Sequence, residues 1–234
     1  MKLPADFPSE RIPELTRYLQ TMLTPGRVAR FREVLRERTR HITLVLEDIF
    51  QPHNASAVLR SCDCFGIQDV HIIEHRNRYE VNPDVALGAS QWLTLRRYHG
   101  TANPAEECLS QLRSKGYRLV ATTPHRDGHT PETLPLDSKC ALLFGTELEG
   151  LTPFSLGMAD DYVKIPMSGF TESLNISVSA AIFIRQLTYR LRNSDIRWNL
   201  DEDESARVLA DWLLQSVRKP ELLLRDFLRR TPAS

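Results

Sequence analysis

Three short stretches carry residue types able to bind and orient a polar molecule or to stabilise charge. In QPHNASAVLRSC, Asn54 brings an amide to a helix start, and Arg60 brings a guanidinium six residues later. At that spacing the two do not share a helical face. In CALLFGTELEGL, a strongly apolar run ends at Gly145, and Glu147 and Gly150 follow within one loop. In DYVKIPMSGFTESLNISVSAAIFIRQL, the chain passes through Pro166 and Gly169 into a helix whose first turn offers Ser173 and Asn175. Each feature has an ordinary alternative. Asn54 can equally be an N-cap, a lone helix arginine is usually a surface cation, and glycines permit a tight turn as readily as close approach of backbone to a ligand.

Other chemistries lack their residues. HIIEH, at His71 to His75, matches a zinc-protease pattern that requires a helix. The surrounding DVHIIEHR is rich in β-branched residues and follows Gly66, so it reads as a strand and its exit. On a strand the two imidazoles would stand roughly 13 Å apart, too far to share one zinc. We therefore expect no metal site. No G-x-G-x-x-G follows a strand, and neither G-x-x-x-x-G-K-[ST] nor G-x-S-x-G is present. Dinucleotide redox chemistry, P-loop hydrolysis and nucleophile-elbow hydrolysis lose their usual frameworks.

The elements that must position the three stretches follow from periodicity. From His41 to about Arg192, β-rich runs (HITLVLED, VHIIE, YRLVATT, KCALLFG, DYVKIP) alternate with helical ones such as NASAVLRSCDCFG. This alternation predicts an α/β fold with a mostly parallel sheet and helices on both faces. Each polar stretch then falls just beyond the C-terminal end of a strand, where open α/β sheets bind ligands. The third stretch enters a helix with one side made small by Ser177, Ser179, Ala180 and Ala181, against which another backbone could press.

Flanking this core are helical extensions, over residues 1–40 and 193–234. Ile12, Leu15, Leu19 and Met22 keep helical spacing, as do Val28, Phe31, Val34 and Leu35. SARVLADWLLQSV and, after Pro220, ELLLRDFLRR close the chain, with Arg225, Arg229 and Arg230 in the last turns. Between Pro25 and His41 stand Arg27, Arg30, Arg32, Arg36, Arg38 and Arg40 against only Glu33 and Glu37. That density suits either an electrostatic footprint for phosphates or a solvated helix face. Over all 234 residues, 30 Lys and Arg balance 30 Asp and Glu, so only such local accumulation speaks for nucleic acid. The start has no apolar leader, and no run approaches the roughly 18 apolar residues of a membrane span. Cys62, Cys64, Cys108 and Cys140 lie in apolar runs or helical patterns. A cytoplasmic protein with reduced, mostly buried thiols is the expectation.

In their order and internal spacing, QPHNASAVLRSCDCFG, LLFGTELEGL and IPMSGFTESLNISVSAAI resemble the three motifs of the SPOUT methyltransferases. The branch resembled is that of the RNA ribose 2'-O-methyltransferases, over residues 41–192. ALGASQWLTLRRYH and the two flanking extensions look like those of its tRNA guanosine-18 enzymes. The resemblance implies a sheet whose C-terminal part is threaded into a deep trefoil knot, and a homodimer with the site near the subunit interface. It implies S-adenosylmethionine as cofactor, bent within the knot. Its adenine would be held by backbone at Thr122 and Thr123, at Gly145, and at Ile165, Met167 and Leu174. The first of these loops, ATTPHRDG, matches the pattern loosely. Family proposals make the motif-one arginine, here Arg60, the base that activates the ribose hydroxyl. Chemically, a guanidinium is scarcely ever neutral, so gripping a phosphate and stabilising the developing alkoxide is an equally sound role. Asn54, Glu147, Ser173 and Asn175 would orient Arg60, the ribose and the methionine end of the cofactor. Many ribosomal-RNA enzymes of the group carry an extra RNA-binding domain ahead of the catalytic one. The short arginine-rich extension here favours the tRNA D-loop guanosine, with ribosomal RNA as the alternative. Arg27, Arg30, Arg36, Arg40, Arg225 and Arg229 would contact phosphates.

Overall fold

The computed structural model of the chain describes residues 1–80, 83–86 and 88–230. A 3-10 turn at Ser9–Arg11 precedes α1 (Ile12–Gln20) and α2 (Pro25–Leu35). The central region runs β1 (Ile42–Glu47), α3 (Pro52–Phe65), β2 (Asp69–Ile73), α4 (Pro83–Ala86), α5 (Ala89–Trp92), β3 (Thr94–Tyr98), α6 (Pro104–Ser114) and β4 (Arg118–Thr122). It continues with β5 (Cys140–Phe144), α7 (Pro153–Met158), β6 (Asp161–Val163) and α8 (Ile176–Arg192). Two helices follow, α9 (Glu202–Ser216) and α10 (Pro220–Arg230). The chain divides into two compact units: Thr39–Trp198, and Met1–Arg38 together with the chain from Asn199 onward.

In the larger unit six strands form one sheet in the order β3-β2-β1-β5-β4-β6, every neighbouring pair parallel. The central strands β1, β2 and β5 are buried at every position, which is why β1 and β5 are mainly apolar with no alternating polar face, while β2 buries Asp69 and His71 among its apolar residues. Ile42, Leu44, Leu46, Cys140, Leu142 and Phe144 face one side, where they share a core with α3 and α8. Val45, Ala141 and Leu143 face the other side, against residues of α6. Gly66 ends α3 at φ 83°, a left-handed turn that costs glycine little. The string at His71 lies in β2 as the β-branched residues predict. Among the described residues, no three His, Cys, Asp or Glu side chains converge to hold a metal ion, and no helix is long and apolar enough to cross a membrane.

Sequence reasoning missed β3. It is an edge strand with Arg96 and Arg97 exposed, so it lacks the apolar run that marks the inner strands. Within the ALGASQWLTLRRYH stretch, Leu87 lies outside the described residues.

His71 is 3% exposed in β2, its Nδ1 3.0 Å from the Tyr98 hydroxyl. Burial pushes its imidazole down to about 4. The unfolded chain, with an ordinary value near 6.5, therefore binds more protons between those limits. Stability from this group is complete above about pH 6.5 and is lost as pH falls through 4, amounting to roughly 3 kcal/mol. Urea midpoints measured across that window should decline in the native protein and less steeply in His71→Gln; parallel curves would exclude His71 as the titrating group.

The smaller unit joins the two chain extensions, a union with no local signature in either. Ile12, Leu15 and Leu19 of α1 are buried, as are Val208, Trp212 and Leu213 of α9. Phe31 meets Trp212 edge to face with ring centres 5.9 Å apart, and the Tyr18 hydroxyl donates to Asp226 Oδ2 at 2.9 Å. Asp201 and Glu204 form a reciprocal capping box at the start of α9. Met22, expected on the buried face of the first helix, instead stands past its end, 46% exposed.

The six arginines of the N-terminal cluster do not make one surface. Arg27, Arg30, Arg32 and Arg36 are exposed. Arg38 is 1% exposed, with its guanidinium 5.2 Å from the Trp212 ring centre. Arg40, which belongs to the larger unit, gives both carboxylate oxygens of Asp69 a hydrogen bond at 3.1 Å. This pairing sets Arg40 apart from the exposed arginines of the cluster. At the other end of the chain Arg225 and Arg229 are exposed on α10.

Candidate active site

Parallel register brings four strand ends to one edge of the sheet. Leu46 of β1 pairs with Phe144 of β5, and Thr122 of β4 with Val163 of β6. The loops after β4, β5 and β6 therefore open on the same side, and with the segment entering α8 they wall a cleft of about 240 Å³. Thr122, Thr123, Gly145, Ile165, Met167 and Leu174 all line it, as do Glu147 and Ser173.

Two features shape this cleft. Residues 146–150 form a tight hairpin, in which the amides and carbonyls of Thr146 and Gly150 exchange hydrogen bonds of 3.0 Å and Gly150 sits at φ 70°. Gly145 packs so closely on this hairpin that a Cβ there would overlap the Gly150 carbonyl and the Leu151 nitrogen. The glycine thus serves approach of the chain to itself. The second feature is the segment 165–174: among the described residues, its backbone amides and carbonyls make no hydrogen bond within the chain. Such a run of unmet donors and acceptors beside a cleft suits a ligand held by main-chain groups.

Beside the cleft, three side chains from segments distant in the chain converge. Asn54 Nδ2 donates to Glu147 Oε1, and Asn175 Nδ2 donates to the same oxygen at 3.1 Å and to Asn54 Oδ1 at 3.2 Å. Both amide orientations follow from this, because a carboxylate can only accept. Glu147 Oε2 keeps its lone pairs for another partner. Asn175 is the N-cap of α8, its Oδ1 accepting from the Ser177 amide at 2.9 Å. Asn54 is not a cap: α3 starts at Pro52, and the cap position is Gln51. The 3% exposed Asn54 side chain is spent on the carboxylate and on Gln51 Oε1 at 3.1 Å.

Two expected members stand apart. Ser173 precedes α8 rather than lying in its first turn, and lines the cleft without a hydrogen bond to the other three. Arg60 is exposed, its side chain makes no hydrogen bond or ion pair among the described residues, and it is not in the cleft wall. Six residues at 100° each turn it by about 240° from Asn54 around α3.

Glu47 and Asp48, at the end of β1, were not singled out from the sequence. Glu47 is 1% exposed and accepts from the Thr152 amide at 3.0 Å, the Thr152 hydroxyl at 2.9 Å and the Ser155 hydroxyl at 2.7 Å. Asp48 takes the amides of His75, Arg76 and Asn77 on one oxygen, at 3.1, 2.8 and 2.8 Å. Burial alone would raise its carboxyl, but these amides and the Arg76 guanidinium outweigh it and hold the group below the usual range. Two consecutive acids closing a mainly apolar strand were the available signal, since buried carboxylates must have partners.

A parallel α/β sheet with a main-chain-lined cleft at its C-terminal edge defines a ligand-binding α/β protein with its site at the strand ends. Residues 41–185 match the SpoU rRNA Methylase family, and the chain belongs to it. It is 43% identical over 205 residues to a tRNA (guanosine(18)-2'-O)-methyltransferase of Borreliella burgdorferi, covering 88% of this chain and 92% of that protein. It is 32% identical over 192 residues to the enzyme of the same name from Thermus thermophilus, covering 81% and 97%. Among solved structures it is similar to the Aquifex aeolicus TrmH/SpoU tRNA modifying enzyme, with a TM-score of 0.74, 25% identity, and 83% and 98% coverage.

Proposed function

We propose that this protein transfers a methyl group from S-adenosylmethionine to the ribose 2'-hydroxyl of guanosine 18 in the tRNA D-loop. The observation that carries the reading is the single cleft that gathers Thr122, Thr123, Gly145, Ile165, Met167 and Leu174 beside the Asn54, Glu147 and Asn175 cluster. The cofactor fits these residues: unmet amides and carbonyls in 165–174 answer an adenine edge, and the open Glu147 oxygen answers an ammonium. When bound, S-adenosylmethionine supplies an activated methyl on a sulfonium. The protein's work is then alignment and charge. Asn54 and Asn175 fix Glu147 toward the methionine end, Ser173 meets the ribose, and Arg60 grips the adjoining phosphate and stabilises the negative charge that develops on the ribose oxygen as the hydroxyl proton passes to solvent water.

Arg60 enters a site completed in a homodimer. Its place outside its own cleft wall supports this, as do Val178 and Ile182, 47% and 38% exposed on α8. The sheet carries a trefoil knot in this reading, consistent with a chain that leaves edge strand β6 and returns to pack α8 against α3. The protein works in the cytoplasm. Arg27, Arg30, Arg36, Arg225 and Arg229 hold tRNA by its phosphates.

Incubation with labelled cofactor and bulk tRNA or ribosomal RNA, followed by mapping of the ribose methyl, tests the activity. Label at the D-loop guanosine is expected; label in ribosomal RNA alone would move the substrate to the alternative, and none in either would end the reading. The affinity for tRNA should fall about a hundredfold between roughly 0.05 and 0.2 M salt as phosphate counterions compete. A flat salt response would remove the arginines from binding.

A further inference from the structure

The Thr146–Gly150 hairpin carries Glu147 to the cluster with Asn54 and Asn175, yet its fastening on the other side uses residues outside that cluster. Its base is fixed by Glu47, which takes the Thr152 amide and hydroxyl. Its tip is fixed by Arg76, which follows β2. The Arg76 amide is held by Asp48 Oδ1 at 2.8 Å, and its Nε donates to Asp48 Oδ2 at 3.2 Å. From that anchored position Nη1 reaches Glu149 Oε1 at 3.4 Å, and Nη2 reaches Glu149 Oε2. The Glu149 amide in turn donates to Thr146 Oγ1 at 3.0 Å, closing the hairpin on itself. The backbone of Asp48 stands at φ 56°, a left-handed conformation that non-glycine residues adopt only where the surroundings hold them. Three amides and a guanidinium on its carboxylate supply that hold.

We propose that Arg76 is a positioning residue: by bridging Asp48 and Glu149 it latches the hairpin in the conformation that presents Glu147 and the Gly150 turn to the cofactor. This rests on the reading of the cleft as a methyl-donor site. Arg76 and Glu149 are each 65% exposed, so the pair contributes little to global stability and acts locally. Glu147 remains tied to Asn54 and Asn175 without it. Loss of the latch therefore weakens cofactor binding and raises the cofactor KM while leaving kcat at saturation nearly unchanged.

The test uses Glu149→Gln, Arg76→Ala and their double variant in the full-length protein. Calorimetric titration with S-adenosylmethionine should show about a fivefold loss of affinity in each single variant and no further loss in the double. The Tm should stay within about 2 °C of the native value. Should Arg76→Ala fail to fold for want of its Asp48 contact, Glu149→Gln alone carries the comparison. Hydrogen exchange at residues 146–151 without ligand gives a second readout, and protection there should fall in both single variants. Native affinity and protection in Glu149→Gln, or losses that add in the double variant, overturn the latch. A native protein that takes up no cofactor overturns the methyl-donor reading, and the exchange result then decides the latch by itself.

Discussion

Arg60→Ala is expected to abolish methyl transfer, with kcat falling by about 10²- to 10³-fold or more, while cofactor affinity stays within about twofold. The side chain is exposed, unpaired among the described residues and absent from the cleft wall, so removing it takes no contact from the cofactor and leaves no buried group unsatisfied. The loss should appear in the chemical step. Arg60→Lys should recover little, because an ammonium lacks the planar fork that meets a phosphate and an oxyanion together. Single-turnover assays with saturating cofactor and tRNA measure the step directly, and calorimetry measures the cofactor. Native turnover in Arg60→Ala would remove this residue from the mechanism; a loss of cofactor binding in parallel would mean that it belongs to the pocket. If two copies complete one site, mixing Arg60→Ala with a cleft-defective partner should restore part of the activity.

Gly145→Ala should be nearly as damaging by a different route. The added methyl would coincide with the Gly150 carbonyl and the Leu151 nitrogen, which are main-chain atoms of a hydrogen-bonded hairpin and cannot swing aside as a side chain could. Either the hairpin leaves its position or β5 shifts at Phe144, which packs edge to face on Phe183 of α8 at 5.9 Å. A cost of about 3 kcal/mol is expected, with near loss of S-adenosylmethionine binding. Thermal unfolding and calorimetry check both parts. By contrast Gly169, where an added Cβ meets nothing within 4 Å, should tolerate alanine. Equal tolerance at Gly145 would show that the hairpin is free to move and that its geometry does not shape the cleft.

Strands β1 and β5 were legible because a parallel sheet covered on both faces leaves mainly apolar runs, and the polar stretches stood out because each follows the end of a strand. Edge strand β3 was not, since Arg96 and Arg97 suit an exposed ladder as well as a loop. In the site, residue types and order pointed to Asn54, Glu147 and Asn175, but whether Asn54 was a cap or a functional group stayed open until the structure placed the cap at Gln51. Arginine density along the N-terminal segment says nothing of direction. Arg38 turns inward over Trp212 and Arg40 onto Asp69, while their neighbours remain in solvent.

By itself, then, the sequence determined the alternation of strands and helices, the edge of the sheet at which the polar stretches gather, and the residue types present there. These follow from periodicity and turn chemistry, which act over a few neighbouring positions. Only the tertiary structure decided that Asn54 spends its amide on a carboxylate 93 residues away, that Gly145 makes room for its own chain, that Glu47 and Arg76 secure the hairpin, and that the two chain ends build one unit. Each of these depends on which distant segments meet, and local composition does not encode a meeting.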